Sequence, residues 1–225
     1  MIPISISDDI IKILFVFIVG TAALLIFRRT LASLFSVYAA QSFLIALIAL
    51  VLFATHGSPV LLLLALLSIA SKVILIPYVL RRVQKTMKLK RDLEFHYLTP
   101  ISSLAVSTGM IFLVYNIFSR FLVDLSEDRM FFFGAVIGVS LCLIGMLVIS
   151  TRKTMITKIL GYLTMENGVL LFSIFIAELP LIIELLIILD LVMLIVLATV
   201  LAFGVDSTIE EFHHRLESFT LWFKE

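Results

Sequence analysis

Seven long apolar runs, separated by polar breaks that are mostly short, restrict the fold of this chain more than any other feature. The runs lie at roughly 10–27, 31–53, 60–80, 100–119, 130–149, 155–177 and 181–203. A helix needs about 17–25 apolar residues to cross the hydrocarbon core of a bilayer, and each run is of that length. A transmembrane β-barrel would instead need alternating strands of about ten residues, a pattern that is missing here. We therefore predict an all-α, polytopic transmembrane helical bundle of about seven helices.

The composition agrees with this prediction and argues against soluble chemistry. The chain is 62% hydrophobic and 15% charged, whereas a soluble domain carries about 25% charged residues. Its single cysteine, Cys142, cannot form a disulfide within the chain, and no Cys/His set has metal-ligand spacing. Because phosphate-binding and nucleophile motifs are also missing, we expect no catalytic centre, cofactor or metal in this chain.

Basic residues collect on one side of the predicted bundle. They are Arg28, Arg29, Arg81, Arg82, Lys85, Lys88, Lys90, Arg91, Arg152, Lys153, Lys158, Arg215 and Lys224. The positive-inside rule places this side in the cytoplasm. We therefore predict a multi-pass protein of the plasma membrane, with its N-terminus outside and its C-terminus in the cytoplasm. The first apolar run lacks the basic start and cleavage site of a signal peptide, so we expect it to be a retained helix.

Two further segments extend beyond the spans. In the tail, 205–225, apolar residues such as Ile209, Phe212 and Leu216 recur every three to four positions with charged residues between them. This pattern predicts a cytoplasmic amphipathic helix on the membrane surface or against a partner. The basic loop 81–91 is interpreted as a topology signal, and binding of anionic lipid or of a partner is the alternative.

Four ionisable residues lie inside predicted spans. They are Lys72, Glu166, Glu184 and Asp190. A charge at the bilayer centre costs about 2.5–3.5 kcal/mol, so these side chains must face the bundle interior, water or each other. Glu184 lies nearer the outer interface, whereas the other three belong near the middle of the membrane.

Polar neighbours accompany these charges at helical spacing. The stripes are Tyr38, Gln41 and Ser42; Ser68, Ser71 and Lys72; and Tyr162, Glu166 and Ser173. Because Pro77 cannot donate a backbone N–H to the carbonyl of Val73, we expect a kink and water next to the amine of Lys72. Burial raises the pKa of a carboxylic acid and lowers that of an amine, so such groups suit a proton relay. A buried ion pair that only fixes helix packing is the alternative, and the sequence leaves the partner of Lys72 open.

The two halves of the chain share a layout. Segments 25–47 and 147–172 each contain an apolar run, a basic turn and a helix with a tyrosine. Each is followed by a proline-containing break and a helix with a mid-membrane charge, Lys72 in one half and Asp190 in the other. Two three-helix repeats joined by one helix would explain the layout, and generic membrane composition is the alternative.

At "GYLTMENGVLLF" (161–172), preceded by the turn STRKT, the chain resembles hydrogenase-4 component E. This family comprises membrane subunits of formate-hydrogenlyase-type complexes. Residues 130–204 are also similar to the three-helix K-type subunit of complex I and the C-type subunit of Mrp antiporters, whereas 1–99 resembles the extension found in component E. K-type subunits usually carry G-L-E-x-M-x-N here. This chain has Leu163 at the place of that acid and Glu166 one helical turn later, with Asp190 or Glu184 matching the second acid.

The resemblance implies a function for the transmembrane bundle 1–204. It implies an ion-translocating membrane subunit of an energy-converting hydrogenase or complex-I-like redox complex. A proton relay would use Glu166, Lys72, Asp190, Glu184 and Tyr162. The implied partners are antiporter-like membrane subunits, membrane lipid and a cytoplasmic redox arm holding the nickel-iron and iron–sulfur centres, with no nucleic acid. A Mrp-type cation/proton antiporter without a redox arm and a structural membrane anchor are the alternatives.

Overall fold

The computed structural model describes residues 4–86, 99–121 and 129–176, together with positions 192 and 195. The predicted seventh span, with Glu184 and Asp190, and the predicted tail helix at 205–225 lie outside the described residues, apart from those two positions. The remaining six predicted spans can be compared with the structure directly.

All six of these spans are helices, which confirms the all-α prediction. In chain order the elements are α1 (Ile4–Phe27), α2 (Leu31–His56), α3 (Pro59–Ser68), a π-helix (Ile69–Leu75), α4 (Ile76–Thr86), α5 (Pro100–Phe121), α6 (Arg129–Thr151) and α7 (Met155–Ile176). The segments α3, π-helix and α4 follow one another without a break and form one long rod.

Among the described residues, five continuous helical segments are long and apolar enough to cross a membrane. They are α1, α2, the rod from α3 to α4, α5 and α6. Helix α7 has 22 residues, a length of about 33 Å at 1.5 Å per residue. It carries the polar residues Lys158, Glu166 and Asn167. The chain is therefore a multi-pass membrane protein.

Two helix bounds differ from the sequence-based expectation. Helix α1 begins at Ile4, ahead of its apolar run, and Lys12 donates to Asp9 one turn away at 2.9 Å, a spacing that supports a helix. Helix α4 continues to Thr86, so the first part of the expected loop 81–99 is helical. Arg, Lys and Gln are good helix formers, and their long side chains reach polar surroundings readily.

Tight turns make the helices pair as hairpins. Three residues, 28–30, join α1 to α2, and three more, 152–154, join α6 to α7. Helix α2 is capped at its C-terminal end by Gly57, which adopts φ 69° and donates its N–H to the carbonyl of Phe53. Glycine takes this left-handed conformation at little cost, and the proline that follows at the first position of α3 suits a new helix.

The two hairpins pack side by side, with α1 against α6 and α2 against α7. Both turns lie at the same end, since Nη2 of Arg152 donates to the carbonyls of Leu25, Ile26 and Arg28 at 3.1–3.3 Å. These carbonyls close the C-terminal end of α1, where a cation is favoured. Burial lowers the pKa of Arg152 to about 10, so the guanidinium is still charged at neutral pH.

Helices α6 and α7 approach each other closely through glycines. A Cβ atom at Gly138 would lie 2.7 Å from the backbone nitrogen of Phe172, and one at Gly168 would lie 2.6 Å from that of Cys142. Small residues at such positions let transmembrane backbones pack tightly. The α6–α7 contact is the most extensive in the described part of the chain, and it fixes the position of α7.

The apolar core consists of two clusters with polar side chains between them. One cluster includes Ile45 of α2 and Leu170 of α7, and the other includes Tyr38 of α2 and Leu163 of α7. Between these levels, the same two helices carry a buried polar layer: Gln41, Ser42, Glu166 and Asn167. This layer holds the candidate site.

Candidate ion-relay site

The structure joins two of the residues selected from the sequence in a direct ion pair. Nζ of Lys72 lies 2.9 Å from Oε1 of Glu166, and the side chains are 1% and 2% exposed. Lys72 lies well inside the rod that begins at Pro59, and Glu166 lies well inside α7. Such a pair offsets part of the cost of two separate buried charges, because each ion compensates the other.

Lys72 lies in the only π-helical segment of the described residues. Within Ile69–Leu75 the hydrogen bonds span five residues rather than four, as in the bond from the Ile76 N–H to the Ser71 carbonyl. Pro77 lies two residues after Leu75 and has no N–H to donate, which favours irregular helix bonding here; the kink and water expected beside Lys72 remain predictions. A π-helix inside an α-helix is rare and is frequently found at functional sites.

The neighbours of Lys72 on its own rod are small and polar. Ser68 and Ser71 are buried with it, and Oγ of Ser71 donates to the carbonyl of Leu67 at 2.9 Å. Helix α2 packs against both the π-helix and α7, so it holds the two halves of the pair at the right separation.

Asn167, the next residue on α7, binds to the opposite hairpin. Its Nδ2 lies 2.9 Å from Oγ of Ser42 and 3.3 Å from Oε1 of Gln41. Nε2 of Gln41 in turn donates to Oγ1 of Thr21 on α1 at 3.3 Å, and Thr21 donates to the carbonyl of Ile18. We call Thr21, Gln41, Ser42 and Asn167 the amide cluster.

The amide cluster is neutral and directly bonded, and its members are buried apart from the half-buried Thr21. Gln41 and Asn167 are 0% exposed, and its hydrogen bonds connect α1, α2 and α7. Oδ1 of Asn167 accepts no hydrogen bond from the described residues, so within them the amide is bonded through its nitrogen alone. The adjacent residues Glu166 and Asn167 thus form two different polar contacts: an ion pair with Lys72 and hydrogen bonds to α2.

The other candidate residues stand as follows. Tyr162 lies one turn before Glu166 on the same helix and is half-buried. Glu184 and Asp190 lie outside the described residues. Among the described residues, no group of three His, Cys, Asp or Glu is arranged to hold a metal ion.

Sequence reasoning did not assign a role to three of the residues that the structure brings into contact. Asn167 and Thr21 belong to the amide cluster, and Arg152 was counted only as a cytoplasmic charge, although it is 3% exposed and bonds to the end of α1. The Gln41–Ser42 stripe was recognised. An amide directly beside a mid-membrane carboxylate was the available signal for Asn167.

The pair can exist in two forms. One is the ion pair of a protonated Lys72 and a Glu166 carboxylate, and the other is a neutral amine beside a neutral carboxylic acid. At 2.9 Å a proton on the amine of Lys72 points at the carboxylate and can cross without an intervening water molecule. The mutual attraction of the two opposite charges favours the ion pair. A change in nearby charge can therefore move the proton between Lys72 and Glu166.

Comparison with known proteins adds no relative: no family model, no curated protein and no solved structure matches this chain. The functional assignment therefore depends on the residues of the site and on the resemblance of the sequence motif.

Proposed function

We propose that this chain is the ion-translocating membrane subunit of an energy-converting hydrogenase or complex-I-like redox complex, and that Lys72 and Glu166 relay its protons. The observation that carries the proposal is the buried pair itself, with Nζ and Oε1 2.9 Å apart. Ionisable residues inside a membrane bundle are costly and usually mark an ion pathway. The motif around Glu166 supplies the link to redox complexes.

In the proposed mechanism, a moving charge in a neighbouring subunit changes the balance between the two forms of the pair. When that charge favours the neutral form, the proton of Lys72 passes to Glu166. When Glu166 releases it and Lys72 takes up another, one proton has crossed the middle of the chain. Glu184, Asp190 and Tyr162 are the further residues proposed for the path.

The proposed architecture is two three-helix repeats joined by α5, seven spans in all, with the N-terminus outside and the C-terminus cytoplasmic. Two observations support the repeat. The hairpins have turns of equal length and pack in parallel, and Tyr38 and Tyr162 are each the eighth residue of their helices, α2 and α7. The basic residues of both turns support the orientation.

The proposed partners are antiporter-like membrane subunits and a cytoplasmic arm that holds the nickel-iron and iron–sulfur centres. The basis for them is the resemblance to hydrogenase-4 component E. Affinity purification of the tagged chain from its native membrane tests it: nickel and iron–sulfur subunits should co-purify. Recovery of membrane subunits alone would favour a Mrp-type antiporter instead.

The function is tested by Glu166→Gln, which keeps the side-chain shape and removes the ionisable group. Redox-driven proton uptake should be lost in sealed vesicles, while assembly and redox turnover stay intact. Asp9→Asn is the matched control, because Asp9 is an exposed carboxylate that also binds a lysine at 2.9 Å, and it should pump normally.

A structural anchor is the second candidate, and the directness of the Lys72–Glu166 contact favours it. In that case the pair only holds the π-helix against α7. Normal pumping by an assembled Glu166→Gln complex would establish the anchor and rule out the relay.

A further inference from the structure

The polar layer is charged on one side of α7 and neutral on the other. Glu166 contacts Lys72 of the π-helix, whereas Asn167 contacts Gln41 and Ser42 of α2. From Gln41 the hydrogen bonds continue to Thr21 on α1. The layer therefore extends from the pair to two further helices, α2 and α1, without another ionisable group among these contacts.

Carboxamides form hydrogen bonds but do not take up or release protons near neutral pH, unlike carboxylates, amines or imidazoles. A proton could pass the two carboxamides, Asn167 and Gln41, only through water molecules beside them. The donor–acceptor distances of 2.9–3.3 Å are those of direct hydrogen bonds and leave no room for water between the bonded atoms. The hydroxyl proton of Thr21 is also engaged, since it bonds to the backbone carbonyl of Ile18 at 2.7 Å.

Apolar side chains at these positions would also block protons. They would not, however, connect α1, α2 and α7 by hydrogen bonds. The amide cluster does both, because its bonds join different helices while none of its groups ionises near neutral pH. Its position is also suited to this role. Asn167 is the residue next to Glu166, so the cluster begins where the charged pair ends.

We propose that the amide cluster is a proton barrier, which closes the Lys72–Glu166 pair on the side of α1 and prevents passive leakage through the bundle. This inference rests on the proposed relay function. It adds that Asn167 and Gln41 determine where the path ends.

The test converts the barrier into a path without changing its shape. The double variant Asn167→Asp/Gln41→Glu replaces both amides by carboxylates of the same size. The full chain is reconstituted in vesicles loaded with a pH-sensitive dye, with potassium and valinomycin to hold the membrane potential and no redox substrate present. We expect a severalfold rise in passive proton flux over the wild type.

The matched control is Asn167→Leu/Gln41→Leu, which also removes the hydrogen bonds but adds no ionisable group. Its flux should equal that of the wild type. An equal rise in both double variants would mean that disturbed packing causes the leak, and the barrier would be rejected. Unchanged flux in a folded carboxylate variant would reject it as well.

Two further variants keep the test decisive. If the carboxylate variant fails to fold, Asn167→Ser/Gln41→Ser provides a polar space that water can fill, and it should leak severalfold for that reason. Unchanged flux in the folded serine variant would then reject the barrier.

Adding Glu166→Gln to the leaking variant should return the flux towards the wild-type value; an unaltered leak would show that protons bypass the pair and would contradict the inference. Because passive flux needs no redox partner, these outcomes are independent of whether Glu166→Gln abolishes coupled pumping.

Discussion

Glu166 and Asn167 are neighbours on α7, yet they enter opposite kinds of contact. Glu166 forms an ion pair with Lys72 at 2.9 Å, and Asn167 joins a neutral amide cluster with bonds of 2.9 and 3.3 Å. Both are buried to the same extent, so burial alone does not distinguish them. The difference is that removing one ion leaves a charge in the membrane interior, whereas removing one amide leaves only an unpaired dipole.

Loss of the lysine from the charged pair should have the largest effect on stability. Lys72→Met leaves Glu166 buried without its amine, and breaking a buried pair in this way costs about 3–5 kcal/mol. Reversible unfolding in mixed detergent micelles measures the loss. The matched control is Lys12→Met, because Lys12 and Asp9 are also 2.9 Å apart but largely exposed, and exposed pairs contribute about 0–1 kcal/mol.

A double variant that removes both charges tests whether the Lys72–Glu166 pair itself stabilises the fold. Lys72→Met/Glu166→Leu removes both charges and should recover most of the stability lost in Lys72→Met, since apolar replacement of a whole buried pair is often neutral. A double variant as unstable as the single one would mean that the pair contributes specific packing beyond charge compensation.

In the amide cluster, we expect a smaller loss of stability than in the charged pair. Asn167→Leu removes both bonds from α7 to α2 and leaves the Gln41 carbonyl without this donor, which costs about 1–3 kcal/mol. The same unfolding measurement applies. A loss as large as that of Lys72→Met would remove the distinction between the two regions.

The outermost member of the cluster should matter least. Thr21→Val keeps the shape of the side chain and removes the bond from Gln41 at 3.3 Å. Hydrogen bonds between transmembrane helices contribute about 0.6 kcal/mol on average. A double-variant cycle with Gln41→Leu isolates this term, and coupling near zero would show that Thr21 does not belong to the cluster energetically.

Most of the helices could be predicted from the sequence because a membrane span is defined by a long apolar run. The run 31–53 became Leu31–His56 and the run 130–149 became Arg129–Thr151. Errors occurred where hydropathy is a poor guide to helix ends. Polar residues near Asp9 and basic residues after Leu80 are compatible with a helix, so α1 and α4 extend past their apolar runs.

The residues of the site were visible in the sequence, but most of their contacts were not. Charge inside an apolar run marked Lys72 and Glu166, and Pro77 marked the irregular part of the rod. The partner of Lys72 was left open, because residues 94 positions apart have no periodicity that connects them. Asn167 was passed over because a single amide in a span has no distinctive spacing.

The sequence by itself determined that this chain spans a membrane and that a few polar groups must be buried, because lipid imposes the length and polarity of each helix locally. Only the tertiary structure decided which buried groups meet. That choice depends on how helices approach and rotate, through glycines such as Gly138 and Gly168 and the hydrogen bonds of Arg152 to the end of α1. Those contacts join distant parts of the chain, and they turn Glu166 towards Lys72 and Asn167 towards Gln41.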